Sequence, residues 1–499
     1  MDDTIVIYKE DEVFFRVACN VSQSYELKEH FSCYVPNWRY SPKVKAKLWD
    51  GKISFFDRKD YKLPIGLYRH LKTFADKYGY KLEWSLEKGE MRTDITREDV
   101  QKFLDSLFKN SKYVPRDYQI ESIFQALRKK RGIIMSPTAS GKSLVIYAVI
   151  RFLLALDKKV LLVVPNINLT EQMYADFVDY GWTHCKDYVS VLHGTSTKYN
   201  VESPILVSTW QSIFKKQKPF FEEFGGILVD ECHLSKAISL KSILTKSNKA
   251  DFRIGLTGTL QTEPSDLLTI QGYLGPVIFQ QTSSDLIDKG VLSKITIANL
   301  LLQYPEEVVD KNRYRPYAEE ERTITEYEDR SKIFPYIIDH IDSKDNVLVL
   351  CRLIEHLKSI KKYLTEKYPD RIIYEVYGNT ESEQRENIRK MANEQEGVII
   401  VGTYATLSTG FNLPKLHHII FASSFSSKIK ILQSIGRGLR KHVSKKKLIL
   451  WDIVDDLRFT KRTGNIHENY IFKHYKIRLR YYKEQGFNYI TKKIKIDDL

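Results

Sequence analysis

Short, continuous apolar runs recur along most of this chain and alternate with stretches of helical pattern. Between about residues 113 and 275 they are GIIMS, VLLVVP, ILVST, GILVDE and FRIGLTGT. Strands that are apolar on both faces are buried on both sides, and such strands separated by helices are typical of a parallel sheet covered by helices. We therefore predict an α/β unit over residues 113–278.

The same pattern returns from residue 283 to residue 456, with the runs NVLVLC, IIYEVYG, GVIIVGT, HHIIFAS and KLILWDIVD. This predicts a second α/β unit of similar size, joined to the first near residues 276–295. Residues 1–110 differ, because shorter alternating runs (TIVIY, VFFRVAC, KISFF) precede a helix-like segment at 97–110. They predict a small α+β domain. The end of the chain, 457–499, is a basic, tyrosine-rich extension.

Composition excludes several classes of protein. With 499 residues, 42% of them hydrophobic and 28% charged, the chain is typical of a globular protein of several domains. No apolar run approaches the length of a membrane span, and the acidic start has no secretory signal pattern, so a cytoplasmic protein is expected. The five cysteines are scattered without a CxxC pair, which indicates reduced thiols rather than disulfides or a zinc site.

A formal net charge of +15 favours a polyanionic partner. Charge alone leaves DNA, RNA and an anionic membrane surface open.

The sharpest local signal is the segment SPTASGKS, which follows the predicted strand GIIM and precedes a helical stretch. Such a strand–loop–helix segment binds phosphate through backbone N–H groups at the helix start. Lys142 would reach the β- and γ-phosphates of a nucleotide, and the Ser143 hydroxyl would ligate Mg²⁺. Ser136 stands where the general pattern has its first glycine. The predicted ATP-binding residues of this loop are Pro137, Thr138, Ala139, Ser140, Gly141, Lys142 and Ser143.

The second signal is the sequence Asp-Glu-Cys-His at 230–233, directly after the apolar run GILV. Asp230 is placed to hold Mg²⁺ through water, and Glu231 to orient and activate an attacking water. An acidic strand end by itself is often only solvated. Its position in a second strand of the unit that carries Lys142 favours the catalytic interpretation, because strand ends of such a sheet converge on one crevice.

These two segments resemble motifs I and II of superfamily 2 helicases, and further motifs follow in the expected order. RDYQ at 116–119 resembles the adenine-reading element, with Arg116 and Gln119 as its binding residues. VVPNINLTEQ resembles motif Ia and VSTWQS the next strand-contact motif, which implies nucleic-acid contacts at Pro165, Asn166, Thr209, Trp210 and Gln211. LTGT resembles motif III and implies that Thr257 and Thr259 couple ATP state to strand binding.

The second unit continues the resemblance. VLVLCRLIEHL resembles motif IV, and VGTYATLSTGFNLP resembles motif V, with Thr403 as a nucleic-acid contact and Gly410 as an ATP contact. QSIGRGLR resembles motif VI, whose members with catalytic roles are Gln433, Arg437 and Arg440. In the family these arginines reach the γ-phosphate, where guanidinium groups stabilise developing charge. Asn412 departs from the acidic residue of many relatives.

Similarity over nearly the whole chain is to the UvsW-type helicases of T4-like bacteriophages. The supporting segments include WRYSPKVKAKLWDGKISFFD, LIDKGVLSK, STGFNLPKLHHIIFA and SIGRGLRKH. The resemblance implies an ATP- and Mg²⁺-dependent DNA helicase that unwinds or branch-migrates forks, Holliday junctions and R-loops in recombination, repair and replication. It also implies DNA or an RNA–DNA hybrid as partner, a monomer, and action in the host-cell cytoplasm if the chain is phage-encoded.

A basic segment with interleaved aromatic residues occupies positions 39–72. Lysines that neutralise phosphates beside rings that can stack on bases are typical of a nucleic-acid surface. We therefore expect Lys43, Lys45 and Lys47 to contact nucleic acid, although the rings could equally belong to a core. The basic end of the chain could bind a nucleic-acid backbone or serve only solubility.

Together these observations predict two tandem RecA-like parallel-sheet domains, a small N-terminal nucleic-acid-binding α+β domain and a basic C-terminal tail. The motor motifs alone do not separate a DNA helicase from an RNA helicase, or from a duplex translocase that never separates strands. An ATP-gated annealing or clamp protein is a further alternative. Intact Lys142, Glu231 and Arg440 argue against it, because a protein that needs no turnover could lose Glu231.

Overall fold

The computed structural model describes residues 3–85, 92–194, 200, 202–233, 237–260, 263–407 and 413–499. The chain divides into two compact units. The first comprises Met1–Ser136 and Gly141–Gln281, and the second comprises Pro137–Ser140 and Thr282–Leu499. Among the helices within the described ranges, none is long and apolar enough to cross a membrane.

The N-terminal part of the first unit is the predicted small α+β domain. Its four-stranded sheet has the order β5-β2-β1-β6, with β1 antiparallel to β2 and parallel to β6. Alternate residues of β1 and β2 point inward, and they pack on Leu71 and Phe74 of α3. The elements are β1 Thr4–Lys9, β2 Phe14–Ala18, α1 Val21–His30, β3 Ser32–Tyr34, α2 Pro42–Lys45, β4 Lys52–Ser54, β5 Lys62–Pro64, α3 Tyr68–Tyr78 and β6 Lys81–Trp84.

The rest of the first unit is built on a seven-stranded sheet, as its apolar runs predict. Every pair in its order β13-β7-β12-β11-β8-β10-β9 is parallel. The helices are α4 Arg97–Leu107, α5 Asp117–Lys129, α6 Lys142–Ala155, α7 Ile167–Asp179, α8 Trp210–Ile213, α9 Lys218–Glu222, α10 Ala237–Lys246 and α11 Pro264–Leu274. The strands are β7 Arg131–Met135, β8 Val160–Val164, β9 Val189–Leu192, β10 Ile205–Thr209, β11 Gly226–Val229, β12 Phe252–Thr257 and β13 Val277–Gln280.

Helix α4 differs from expectation in where it packs. The sequence pattern places residues 97–110 in the N-terminal domain, but Val100, Leu104 and Phe108 are buried in the core that contains α5 and α6. The core of the N-terminal sheet is a separate cluster. The expected helix is present, but a helical pattern alone does not identify the partner of its buried face.

The N-terminal domain is fixed to the first parallel sheet by polar and close backbone contacts. The buried Arg131 of β7 donates from Nη2 to the Glu12 backbone oxygen at 2.9 Å and lies 3.3 Å from its carboxylate. Glu12 N–H donates in turn to the Asn248 carbonyl at 3.1 Å. At Gly66, a Cβ atom would lie 1.9 Å from the Gln271 carbonyl oxygen, so only glycine permits this approach.

The second unit has its own seven-stranded, all-parallel sheet with the order β16-β17-β15-β18-β19-β14-β22. The expectation of two tandem RecA-like domains is confirmed. The strands are β14 Lys294–Gln303, β15 Val347–Cys351, β16 Ile373–Val376, β17 Ile399–Thr403, β18 His418–Phe421, β19 Lys447–Asp456, β20 Phe459–Thr460, β21 Ile466–His467 and β22 Asn488–Lys495. The helices are α12 Ser283–Asp288, α13 Glu306–Lys311, α14 Tyr317–Glu326, α15 Ile333–Ile338, α16 Ile354–Lys367, α17 Ser382–Glu394, α18 Tyr404–Leu407, α19 Lys428–Gly438 and α20 Tyr470–Glu484.

The basic C-terminal extension is integrated into this sheet. Strand β22 pairs along the whole of Thr296–Gln303 in β14. Arg478 of α20 is fully buried, and its guanidinium donates to both carboxylate oxygens of Asp452 at 2.8 and 2.9 Å. The Glu320 carboxylate accepts the Tyr470 and Ile471 N–H groups at the start of α20 at 3.0 and 2.9 Å. Buried, bidentate pairs of this kind fix a helix in one position, because a displaced charge would be left without a partner.

Candidate nucleotide site and nucleic-acid surfaces

The phosphate-loop segment lies between β7 and α6, as the sequence predicts. Gly141 immediately precedes α6 and has φ +82°, and Ala139 is also left-handed at φ +66°. A Cβ atom at Gly141 would lie 2.4 Å from the Gln119 side-chain nitrogen. The first N–H groups of a helix have no partner within the helix and carry partial positive charge, so this terminus suits an anion.

The two side chains predicted to handle phosphate and metal lie at the start of α6. Lys142 Nζ donates to the Ser136 carbonyl at 3.2 Å and lies 3.8 Å from Glu231 Oε1. The Ser143 hydroxyl is 2.7 Å from the Tyr180 hydroxyl. Tyr180 follows α7 and was not singled out from the sequence, because no motif marks it and its contact with Ser143 depends on how α6 packs beside α7.

The adenine-reading element also reaches this loop. Gln119 is buried, its Oε1 accepts the Arg116 N–H at 2.8 Å, and its Nε2 lies 3.5 Å from the Gly141 carbonyl oxygen. One side-chain amide thereby joins the start of α5 to the start of α6. The predicted pair Arg116 and Gln119 is therefore next to the loop that precedes Lys142.

Asp230 and Glu231 follow β11 directly and lie in a crowded electrostatic environment. Asp230 is buried, and one of its carboxylate oxygens accepts the Glu231 N–H at 2.9 Å. Burial, with a smaller contribution from the Glu231 charge, raises the pKa of Asp230 to about 7, against the opposing effect of Lys142. Glu231 itself has a left-handed backbone with φ +45°. This cluster of like charges is suited to a cation.

His233 links this acidic pair to motif III. Its Nδ1 lies 2.5 Å from Thr257 Oγ1 and 3.3 Å from Glu231 Oε2. The Thr257 hydroxyl donates its only hydrogen to the Thr259 carbonyl at 2.6 Å, so His233 Nδ1 is the donor to Thr257. Burial lowers the pKa of His233, which keeps the imidazole neutral. Sequence reasoning named Thr257 and Thr259 but not His233 as the residue that joins them to Glu231.

The predicted strand-contact residues of the first unit lie at the same sheet edge. Val164 and Thr209 are opposite each other at the ends of β8 and β10. Pro165 and Trp210 follow these two residues, and Gln211 Nε2 lies 3.4 Å from the Pro165 carbonyl oxygen. The Asn166 side chain accepts the Leu169 N–H at 3.1 Å and begins α7. The structure therefore brings these residues together at one edge of the sheet.

In the second unit, Gln433 and Arg437 lie on α19 and Arg440 follows it. Arg437 is buried, and burial together with the nearby Arg440 charge lowers the pKa of Arg437 to about 10. Thr403 ends β17, and its hydroxyl is 2.8 Å from that of Thr406. Gly410 and Asn412 lie outside the described residues.

The expected lysines of the N-terminal domain lie on residues 34–52, a segment that connects β3 to β4 and contains α2, which we call the basic loop. Lys43, Lys45 and Lys47 are all exposed. The loop is held by aromatic packing. The rings of Tyr34 and Trp38 stack at 4.4 Å, and Trp38 packs so closely on Gly51 that a Cβ there would be 2.7 Å from the ring.

Three family descriptions match parts of this chain. "DNA helicase UvsW, N-terminal" matches residues 4–85, "Type III restriction enzyme, res subunit" matches residues 112–262, and "Helicase conserved C-terminal domain" matches residues 329–442. The ATP-dependent DNA helicase uvsW of Enterobacteria phage T4 is 32% identical over 504 residues, which cover 99% of this chain and 100% of that protein. The XPB helicase/translocase subunit of factor IIH from Schizosaccharomyces pombe is 23% identical over 372 residues, and the matched region covers 71% of this chain and 44% of that protein.

Solved structures agree. The crystal structure of T4 UvsW covers 99% of this chain and 100% of its own, with a TM-score of 0.53 and 31% identity. A fragment of an HsdR subunit of a type I restriction enzyme from Vibrio vulnificus covers 93% of this chain and 84% of its own, with a TM-score of 0.58 and 18% identity. The second likeness concerns the fold alone.

Gly141→Ala tests the shape of the phosphate loop. The added Cβ meets the Gln119 amide at 2.4 Å in a backbone that is already left-handed, so binding of a fluorescent ATP analogue with Mg²⁺ should weaken about tenfold or more. Gly79→Ala is the matched control, because Gly79 has φ +75° but no atom within 4 Å of its ideal Cβ. Equal affinity in Gly141→Ala and the control would contradict the assignment.

Proposed function

We propose that this chain uses the energy of Mg²⁺-ATP hydrolysis to unwind or branch-migrate branched DNA. The chain belongs to the UvsW family of ATP-dependent DNA helicases. The observation that carries the proposal is the connected set Lys142, Glu231, His233 and Thr257 in the first unit. It joins a phosphate-binding lysine to an acid that can activate water, and that acid to motif III. The chain is an enzyme that hydrolyses ATP, and the finer roles below are our proposals.

The residues of the phosphate loop fit a nucleotide and its metal. We assign Pro137–Gly141 and the N-terminus of α6 to the phosphates, with Lys142 on the β- and γ-phosphates and Arg116 and Gln119 on the base. Ser143 and, through water, Asp230 would hold Mg²⁺, which when bound neutralises phosphate charge. Because a bound metal ion favours the carboxylate form, it would lower the pKa of Asp230 toward its ordinary value.

Glu231 is our candidate for the residue that orients and activates the attacking water. Its carboxylate is half-buried, with one oxygen 3.8 Å from Lys142 Nζ and the other 3.3 Å from His233 Nδ1, so it contacts both residues. His233 then passes any displacement of Glu231 to Thr257, whose hydroxyl bonds to the Thr259 carbonyl. This is a physical route by which hydrolysis changes the loop 257–259.

We assign Gln433, Arg437 and Arg440 to stabilisation of the γ-phosphate during transfer, with Gly410 as a further ATP contact. The support is electrostatic. Arg437 is buried, and burial, with a smaller contribution from repulsion by the Arg440 charge, lowers the pKa of Arg437. An anion between the two guanidinium groups would relieve that repulsion.

For the nucleic-acid strand we propose two groups of contacts. Pro165, Asn166, Thr209, Trp210 and Gln211 of the first unit, with Thr403 of the second, would bind the strand on which the motor moves. The basic loop, through Lys43, Lys45 and Lys47, would bind the phosphates of a second arm. Contacts with more than one arm favour a junction over a single strand, and an R-loop with its RNA–DNA hybrid belongs to the same class.

The boundaries that we propose are residues 1–110 for the nucleic-acid-binding domain, with α4 at its end packed on the core of the first motor domain, 113–278 and 283–456 for the motor domains, and 457–499 for the extension. Every motor motif is present in this one chain, which supports a monomer as the active form. Similarity to a phage T4 protein supports action in the host-cell cytoplasm.

A steady-state ATPase assay with matched substrates tests the proposed function. A four-way DNA junction should stimulate turnover more than single-stranded DNA, plain duplex or RNA of equal length. Lys142→Ala and Glu231→Gln should each lower kcat by about 10²-fold or more, because one loses phosphate binding and the other water activation. Glu231→Gln should still bind ATP, whereas a clamp protein would keep its function after this change.

Two outcomes would overturn the proposal. Stimulation by RNA alone would make the chain an RNA helicase, and turnover that ignores every nucleic acid would remove the motor interpretation.

Charge reversal of the basic loop tests the second group of contacts. Lys43→Glu, Lys45→Glu and Lys47→Glu together should lower the slope of log affinity for a DNA junction against log salt concentration by about two to three, because three phosphate contacts are lost. ATPase activity without DNA should be unchanged, since all three lysines are exposed. The control carries Lys102→Glu, Lys109→Glu and Lys186→Glu together, because these three lysines are also exposed. A slope equal to that of the control would disprove the contact.

A further inference from the structure

A cavity of about 520 Å³ lies within the first unit, between the N-terminal domain and helices α10 and α11. Pockets of this volume are large enough for a small ligand or a few linked groups. Its lining contains five cationic residues, Lys28, Arg58, Lys59, Lys62 and Lys241, and one acidic residue, Asp57. None of these residues belongs to the nucleotide site or to the basic loop.

Most of this positive charge is not neutralised by neighbouring carboxylates. Lys62 forms an ion pair with Glu10 at 2.7 Å. Within the described part of the chain, the other four cationic residues form no ion pair with any carboxylate. Lys28, Lys59 and Lys241 are exposed, so their ammonium groups are accessible to a ligand from solvent. Such an excess of like charge around one cavity attracts an anion of more than one charge.

Arg58 is held in a defined orientation at the wall of the cavity. The centre of its guanidinium lies 3.5 Å from the centroid of the Tyr25 ring, and its side chain is half-buried. A planar guanidinium that is already stacked loses little entropy when it binds phosphate in a bidentate manner. This residue is therefore the one most suited to phosphate among the five.

The aromatic residues of the lining point to phosphate rather than base recognition. Three of the four aromatic lining residues, Phe55, Phe56 and Tyr273, are 7%, 1% and 3% exposed, so their faces are occupied by packing within the protein. The fourth, Phe14, is half-buried and makes an edge-to-face contact with Tyr273, with ring centroids 6.2 Å apart. A ring whose faces are covered cannot serve as a stacking platform for an unpaired base. Four of the five cationic lining residues are exposed or half-buried and have no carboxylate partner among the described residues, so they are the main groups available to a ligand.

The cavity is continuous in the chain with the basic loop. Strand β4, Lys52–Ser54, leads directly from that loop to Ser54–Lys59 at the cavity. Three residues of a strand span about 10 Å, which corresponds to about three phosphate spacings along one strand of B-form DNA. One DNA strand of ordinary geometry can therefore contact both features.

We propose that this cavity binds the sugar-phosphate backbone of a DNA strand that continues from the basic loop. The proposal deepens the assignment of the chain as a DNA helicase and rests on it. Because Lys241 lies on α10, the helix that follows Asp230–His233 in the chain, a strand bound here contacts the N-terminal domain and the first motor domain together. The buried Arg131–Glu12 contact and the close approach at Gly66 hold the two walls of the cavity in one arrangement.

The test reverses the three exposed, unpaired charges in the full-length protein: Lys28→Glu, Lys59→Glu and Lys241→Glu together. Fluorescence anisotropy with a labelled single strand of 20 nucleotides and with a four-way junction should show affinity reduced about tenfold or more at low salt, with a salt slope lower by about two to three. The matched control again places glutamate at lysines 102, 109 and 186. Arg58→Lys should weaken binding less than Arg58→Ala, because charge remains while the bidentate fork is lost.

DNA binding, unwinding and DNA-dependent ATPase activity of the wild-type protein, measured beside the variants, separate this proposal from the broader one. If the wild-type protein binds and unwinds DNA and the cavity variant matches the control in affinity and salt slope, the cavity proposal is wrong while the helicase assignment stands. If the wild-type protein shows no DNA-dependent turnover, the helicase assignment fails independently.

A small phosphorylated molecule is the other source of the same chemistry. Inorganic tripolyphosphate, titrated calorimetrically into Lys142→Ala protein with and without the three cavity reversals, distinguishes it. One-to-one binding that the reversals abolish, together with unchanged DNA affinity, would overturn the DNA assignment in favour of a small-anion site. Loss of DNA affinity in the cavity variant supports the proposal.

Discussion

The parallel register of the first seven-stranded sheet is the constraint on which the site depends. Met135 of β7 is opposite Thr257 of β12. On strand β8, Val164 is opposite Thr209 of β10 and Val163 is opposite Val229 of β11. Because all these strands run in one direction, their carboxyl ends meet at one edge. The carboxyl ends of these strands carry the phosphate loop, the acidic pair, motif III and the strand-contact residues. The parallel pairing of the strands therefore brings these four segments together, although they are spread over residues 136–259 of the chain.

Several ionisable side chains lie together at that edge, and burying any one of them alone would be destabilising. Burial of the Asp230 carboxyl, with a smaller contribution from the Glu231 charge, raises the pKa of Asp230, which is the penalty for placing two acids in a buried site. Lys142 reduces the penalty from one side, and the neutral His233 donates a hydrogen bond instead of adding charge. The site therefore favours a cation and an anionic ligand together, which is the requirement for phosphoryl transfer with a metal ion.

Much of this architecture could be predicted from sequence, because the relevant signals are local. The apolar runs identify the strands of both sheets, and the segments at 136–143 and 230–233 locate the nucleotide site. The contacts that sequence reasoning missed join segments far apart in the chain. Tyr180 reaches Ser143 only because α7 packs beside α6, and His233 reaches Thr257 only because β11 and β12 are neighbours.

The ends of the domains illustrate the same limit. An amphipathic pattern shows that α4 has a buried face, but packing decides that this face belongs to the first parallel sheet. Strand β22 is mostly exposed and rich in lysine, so its sequence looks like a solvated extension, although its backbone completes the second sheet. An edge strand needs few apolar side chains, because backbone hydrogen bonds on one side hold it. The basic cavity likewise has no sequence signature, since its walls come from residues about 200 positions apart.

The most direct measurement is a double-mutant cycle on His233→Ala and Thr257→Val that records ATP hydrolysed per base pair unwound on a four-way junction. If the hydrogen bond between these residues transmits hydrolysis to strand movement, each single change should raise the ATP used per base pair while ATPase activity falls only a few-fold. The double variant should then be no worse than either single one, because the same link is already broken. Additive effects, or equal losses of ATPase activity and unwinding, would contradict coupling through this contact.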